Sequence, residues 1–79
     1  MGRQELIEKA KEIYENENMI VGNAREDSKG IMFTGIDIDG TTDPIQPVLV
    51  LDFDGSVYYE ALNGVGEFFD RYMSANKIL

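Results

Sequence analysis

Two pairs of aspartates are the residues of this chain whose type and spacing could do chemistry. Asp37 and Asp39 are followed by a glycine, and Asp52 and Asp54 repeat this arrangement fifteen residues later. Side chains two positions apart on a strand point to the same face, so each pair would present two carboxylates together. Two neighbouring carboxylates can hold a divalent cation, or they can act as acid and base because a like charge raises the pKa of its neighbour.

The first pair lies in a segment, residues 36–41, that resembles the first motif of the haloacid-dehalogenase phosphatases, an apolar strand followed by DxDGT. The resemblance implies a nucleophilic Asp37, a general acid in Asp39 and a Mg²⁺ ion beside the phosphate. That family also needs a base to hold the phosphate, and only Arg71 and Lys77 follow Asp39. Because Asp-Gly is a common turn former, both segments are interpreted as turns, and no enzymatic activity is expected.

A calcium site is a second interpretation of the same acids. Asp37, Asp39 and Asp43 are spaced almost like the ligands of an EF-hand loop. Such a loop also needs a closing glutamate at its twelfth position, and none is present here. We therefore expect a solvated loop without a metal or other cofactor, with weak cation binding as the alternative.

The negative charge is concentrated in the middle of the chain. Residues 1–29 hold seven acids and five bases, residues 30–70 hold eight acids and no base, and residues 71–79 add two bases, which gives a net charge of −8. This distribution predicts an acidic surface that meets a basic partner protein, or else a charge that serves only solubility. Direct binding of nucleic acid is not expected, since phosphate contacts need clustered Lys and Arg.

Length and composition limit the remaining possibilities. A chain of 79 residues predicts one domain spanning residues 1–79. It contains no Cys and no His, which excludes disulfides, thiolate metal sites and the commonest general base, and agrees with a cytoplasmic location. No apolar run approaches the length of a membrane span, so no membrane association is expected.

The hydrophobic pattern predicts a helix at each end and four strands between them. The predicted elements are a helix over residues 3–17, strands over residues 19–24, 31–38, 48–53 and 56–62, and a helix that starts at Asn63 and Gly64. The fold class is therefore α+β with the order α-β-β-β-β-α. Short turns make the sheet antiparallel, and the simplest arrangement packs both helices on one face and leaves the other exposed.

The layout and the charge together resemble small acidic phage proteins, among them the anti-CRISPR inhibitors that occupy the DNA-reading groove of a nuclease. The ending of the chain, from Leu51 through the second helix, also resembles toxin-immunity domains of the SUKH type. These resemblances imply a protein partner and carry no functional residue over to this chain.

The sequence thus predicts a small acidic protein-binding domain, monomeric or homodimeric, that presents carboxylates to a basic groove. The alternative is an immunity or adaptor module that binds through an aromatic sheet face, where one of Tyr58 and Tyr59 must point outward. The residues predicted to contact the partner are Asp37, Asp39, Asp43, Asp52, Asp54, Tyr58 and Glu60.

Overall fold

A five-stranded antiparallel sheet carries one helix on each face in the computed structural model, which describes residues 1–41 and 46–79. The strands follow the spatial order β4-β3-β2-β1-β5, so the first four form a meander and the last returns to its far edge. In these residues the elements are α1 (Arg3–Glu15), β1 (Met19–Glu26), β2 (Gly30–Asp37), β3 (Val48–Asp52), β4 (Val57–Glu60), α2 (Glu67–Ser74) and β5 (Asn76–Lys77).

The structure confirms the α+β class, the antiparallel sheet and the order of the first six elements. The fifth strand was not predicted; it pairs with Arg25 and Glu26 of β1. Helix α2 begins later than expected because Gly64 and Gly66 adopt φ angles of 81° and 101°, which are incompatible with a right-handed helix. Val65, which the predicted helix includes, lies outside the observed helix and is 78% exposed.

The prediction that both helices pack on one sheet face is wrong. Helix α1 packs on the face that carries Ile31 and Phe33 of β2, whereas α2 packs on the opposite face, which carries Met32. Strand β3 is divided in the same way, with Leu49 and Leu51 toward α1 and with Val48 and Val50 toward α2. Strands β2 and β3 are therefore buried on both faces and need a helix on each side.

Each helix covers its face through a few large contacts. Leu6, Ala10 and Tyr14 of α1 are buried in the larger apolar cluster. On the other face, the ring of Tyr72 in α2 is packed under the guanidinium of Arg25, 4.7 Å from the ring centroid. The apolar cluster beneath α2, which contains Met32, Val50 and Tyr72, is thus bordered by a cation–π contact between Arg25 and Tyr72.

The two Asp-Gly segments form the same turn twice, as the sequence predicted. The Gly40 amide donates to the Asp37 carbonyl (2.8 Å), and the Gly55 amide donates to the Asp52 carbonyl (3.0 Å). Both glycines have positive φ, and the carboxylate two residues after the first Asp accepts a backbone N–H, from Thr41 and Ser56 respectively. The second repeat is the three-residue loop of the β3–β4 hairpin and ends in a glycine bulge. The first makes the same backbone bonds directly after Asp37, the last residue of β2.

Burial on both faces predicts that the Met32→Ala change destabilises the fold as strongly as a change in the other cluster. We expect the free energy of unfolding to fall by about 2–5 kcal/mol for Met32→Ala and by about 3–5 kcal/mol for Phe33→Ala. Urea denaturation would measure both values. A loss within about 0.5 kcal/mol for Met32→Ala, typical of an exposed site, would contradict the position of α2.

Candidate functional site

The predicted acidic residues are divided between the two ends of the sheet. Asp52 pairs with Gly30 at the start of β2, whereas Asp37 ends the same strand. Seven residue steps along β2 separate the ends by about 23 Å. Asp54 lies in the turn just beyond Asp52, and Glu60 pairs with Val48 at the opposite end of β3. The carboxylates thus do not form one surface.

We call the end near Gly30 the paired end, because three of its acids, Glu26, Asp27 and Asp52, form ion pairs with arginines. Arg71 of α2 donates from Nε to Asp27 Oδ2 (2.7 Å) and from Nη2 to Asp52 Oδ1 (2.9 Å), and its Nη1 donates to the Tyr58 hydroxyl (3.1 Å). The Tyr58 hydroxyl in turn donates to Asp52 Oδ2 (2.9 Å). The network joins α2 to the β1–β2 turn and to the last residue of β3.

The surroundings of this network favour the charged form of Asp27 and the neutral form of Tyr58. Partial burial would raise the pKa of Asp27, but the Arg71 guanidinium and the amides of Lys29 and Gly30 outweigh it and lower the pKa. Burial and the hydrogen bond to Asp52 raise the pKa of Tyr58. The side chains of Arg71 and Asp52 are 16% and 15% exposed, so solvent screens this ion pair only weakly.

Other cations complete the paired end. Arg3 at the start of α1 bonds to Glu26 of β1 through a two-pronged contact (2.9 and 2.6 Å), which lowers the pKa of Glu26. The ammonium of Met1 donates to the Phe53 carbonyl (2.8 Å) beside Asp54. Five of the seven Lys and Arg residues of the chain lie at this end: Arg3, Arg25, Lys29, Arg71 and Lys77.

We call the opposite end the acidic end; it comprises Glu17, Asp37, Asp39 and Glu60. None of the ion pairs found within residues 1–41 and 46–79 involves any of the four. Glu17, Asp37 and Asp39 are exposed, and Glu60 is half-buried. The amide and hydroxyl of Thr41 lower the pKa of Asp39, so its negative charge persists under mildly acidic conditions. The two remaining bases, Lys9 and Lys11, lie in the middle of α1.

The structure brings only part of the predicted partner site together. Asp37, Asp39 and Glu60 share the acidic end, whereas Asp52, Asp54 and Tyr58 lie at or near the paired end. Asp43 lies outside the described residues. Alternation along β4 predicted one outward tyrosine, and that residue is Tyr59, which is 49% exposed, while Tyr58 packs beneath α2. That these residues contact a partner stays a prediction.

No metal centre is formed by the part of the chain that the structure describes, since no three acidic side chains there are grouped to hold an ion. The aspartates of both turns instead accept hydrogen bonds from their own turns. Likewise, no helix within residues 1–41 and 46–79 has the length and apolar character needed to cross a membrane.

Sequence reasoning missed three residues that organise the two ends. Asp27 and Arg71 are separated by forty-four positions, and no local pattern links them, although Arg71 was recognised as one of two late bases. Glu17 was assigned to the first helix, but α1 ends two residues before it. The turn that follows has Asn18 at a φ of 58° and redirects the chain into β1, which places Glu17 near the end of β2.

The chain matches no known protein family, no curated protein and no solved structure. The geometry of the molecule itself is therefore the basis for the function proposed below.

The Arg71 network predicts a specific pH dependence of stability. Because the pKa of Asp27 is lower in the folded state, its ionisation stabilises the fold above the ordinary Asp pKa, and this contribution is lost as the pH falls through the folded pKa. We expect the Asp27→Asn change to cost about 2 kcal/mol near pH 7, less than for a fully buried pair because Asp27 is 23% exposed.

Thermal or urea unfolding of both proteins between about pH 2 and pH 7 tests this dependence. The difference in free energy of unfolding between wild type and Asp27→Asn should be constant above about pH 5 and shrink below about pH 4. A difference that stays constant down to the lowest pH would contradict a stabilising Asp27–Arg71 pair.

Proposed function

We propose that this protein is a small acidic binding domain that docks its acidic end onto a basic surface of a partner protein. The observation that carries the proposal is the separation of charge along the sheet. Arg71 and Arg3 neutralise acids at the paired end, while the four acids of the acidic end form no ion pair among the described residues. A cluster of uncompensated charge attracts an oppositely charged surface and directs its approach.

The basic surface that fits best is the nucleic-acid groove of a partner. Such grooves are lined by Lys and Arg that would otherwise contact phosphates, and carboxylates on a rigid turn can take the place of the phosphates. The domain would then act as a competitive inhibitor in the cytoplasm, as the resemblance to small phage proteins implies. The sheet end is suited to this role because the Asp37–Thr41 turn is held by its own hydrogen bonds.

We infer binding rather than catalysis from the state of the candidate catalytic residues. Asp39 and Asp54 accept hydrogen bonds within their turns, and Asp52 is bound to Arg71. A phosphatase of the haloacid-dehalogenase type also needs a base beside its nucleophile, and Arg71 and Lys77 both lie at the paired end, away from Asp37.

The alternative of an immunity or adaptor module required an aromatic face of the sheet to be open. Helices α1 and α2 cover both faces of β2 and β3 instead. Tyr59 is the exposed aromatic residue of β4, and it lies at the acidic end rather than on an uncovered face. The charge-directed proposal is therefore favoured.

The proposal predicts that a cationic peptide binds at one end of the sheet. In a titration with an octalysine peptide followed by amide NMR shifts, we expect the largest changes at Glu17, Asp37–Thr41 and Tyr59. The Glu17→Gln/Asp37→Asn variant should bind about fivefold more weakly, because each lost ion pair costs about 0.5 kcal/mol. Raising the salt from about 0.05 to about 0.3 M should weaken the binding of the wild type.

The matched control is the Glu8→Gln/Asp54→Asn variant, which removes the same charge elsewhere and preserves the Asp54 turn, since Asn makes the same bond. It should bind the peptide within about twofold of the wild type, allowing for long-range attraction. Equal weakening by the two variants, or shifts spread evenly over both ends, would refute the proposal.

A further inference from the structure

A cavity of about 220 Å³ opens at the acidic end, between the end of α1 and the end of β2. Two tyrosines, Tyr14 and Tyr59, line it together with the carboxylates of Glu17 and Asp37. Its walls therefore combine two aromatic rings with negative charge and include no base from residues 1–41 and 46–79. The cavity at Asp52, Phe53 and Asp54 also joins a ring to carboxylates, but Lys29 lines it as well.

The walls are held by contacts to the backbone of β2. The Tyr14 hydroxyl donates to the Phe33 carbonyl (3.2 Å), and the Tyr14 ring lies directly over Gly35, where a Cβ atom would be 2.7 Å from it. The Gln46 side chain accepts from the Gly35 amide (2.9 Å) and donates to the Gly35 carbonyl (2.7 Å). The cavity is thus bounded by fixed groups on two sides, which reduces the entropy lost when a ligand enters.

Three features of the cavity favour a positive charge. Glu17 and Asp37 supply carboxylates that form no ion pair within the described residues. The half-exposed ring of Tyr59 lines the cavity and offers an electron-rich face to a cation. Finally, α1 ends at the cavity without a basic residue in its last turn, so the partial negative charge of its carbonyls is not offset there.

We infer that this cavity receives the guanidinium group of an arginine side chain from the basic partner. A planar guanidinium can stack on the exposed Tyr59 ring while its N–H groups donate to Glu17 and Asp37, whereas a lysine ammonium has no plane to stack. The inference rests on the proposed function and adds to it a specific contact. In this inference the Tyr59 ring contributes to binding by stacking, in addition to the attraction between opposite charges.

The test compares two peptides of equal charge, four Gly-Arg repeats and four Gly-Lys repeats, on variants of Tyr59 that leave the charge unchanged. We expect the wild type to bind the arginine peptide about threefold more tightly than the lysine peptide. Tyr59→Leu should abolish this preference, and Tyr59→Phe, the matched control that keeps the ring, should retain it. The arginine δ-methylene protons should shift upfield on the wild type and on Tyr59→Phe, but not on Tyr59→Leu.

The outcomes separate this inference from the proposal on which it rests. If Tyr59→Leu keeps the arginine preference and the upfield shift, the cavity is not the arginine site, and the charge-directed proposal stands as long as Glu17→Gln/Asp37→Asn weakens binding. If the charge variant also has no effect, both fail. Because Tyr59 is half exposed, the leucine variant should keep the wild-type fold, which circular dichroism and thermal unfolding would verify.

Discussion

The burial of β2 and β3 on both faces is the constraint on which the rest of the molecule depends. Their central residues are apolar without interruption, from Ile31 to Phe33 and from Val48 to Leu51. Such strands must be covered on both sides, and a chain with two helices can do so only by placing one on each face. The position of α2 on the second face and the placement of charged strand residues at or near the strand ends both follow from this requirement.

Within the strands, charged side chains lie at or near the two ends of the sheet, and the two ends use this charge differently. At the paired end, Arg71 connects α2 to two aspartates and so contributes to the fold. At the acidic end the carboxylates are not needed for packing, and their charge is free to act on the surroundings. The same residue type, in two copies of one turn, thus serves structure at Asp52 and remains accessible at Asp37.

Local signals in the sequence predicted six of the seven elements and both turns, because periodicity and Asp-Gly chemistry depend on near neighbours. The relation between distant segments was not predicted. The strand predicted over residues 48–53 is almost wholly apolar, yet this was not used to conclude that both of its faces need a helix. The prediction of a single acidic surface neglected the length of β2, which separates the aspartates. The hydrogen bonds between Asp27 and Arg71 join residues that are forty-four positions apart, and no local sequence pattern predicts such a contact.

The contact between Arg71 and Asp27, which holds α2 against the sheet, also bears on the order in which the chain folds. The meander from β1 to β4 is closed by connections between neighbours in sequence, whereas the Arg71–Asp27 contact closes a loop of forty-four residues. Contacts between distant segments cost more chain entropy and form later than local ones. Two glycines with positive φ precede α2, and a strand of two residues follows it. The ionic network of Arg71 can therefore form only once α2, the β1–β2 turn and the end of β3 have come together.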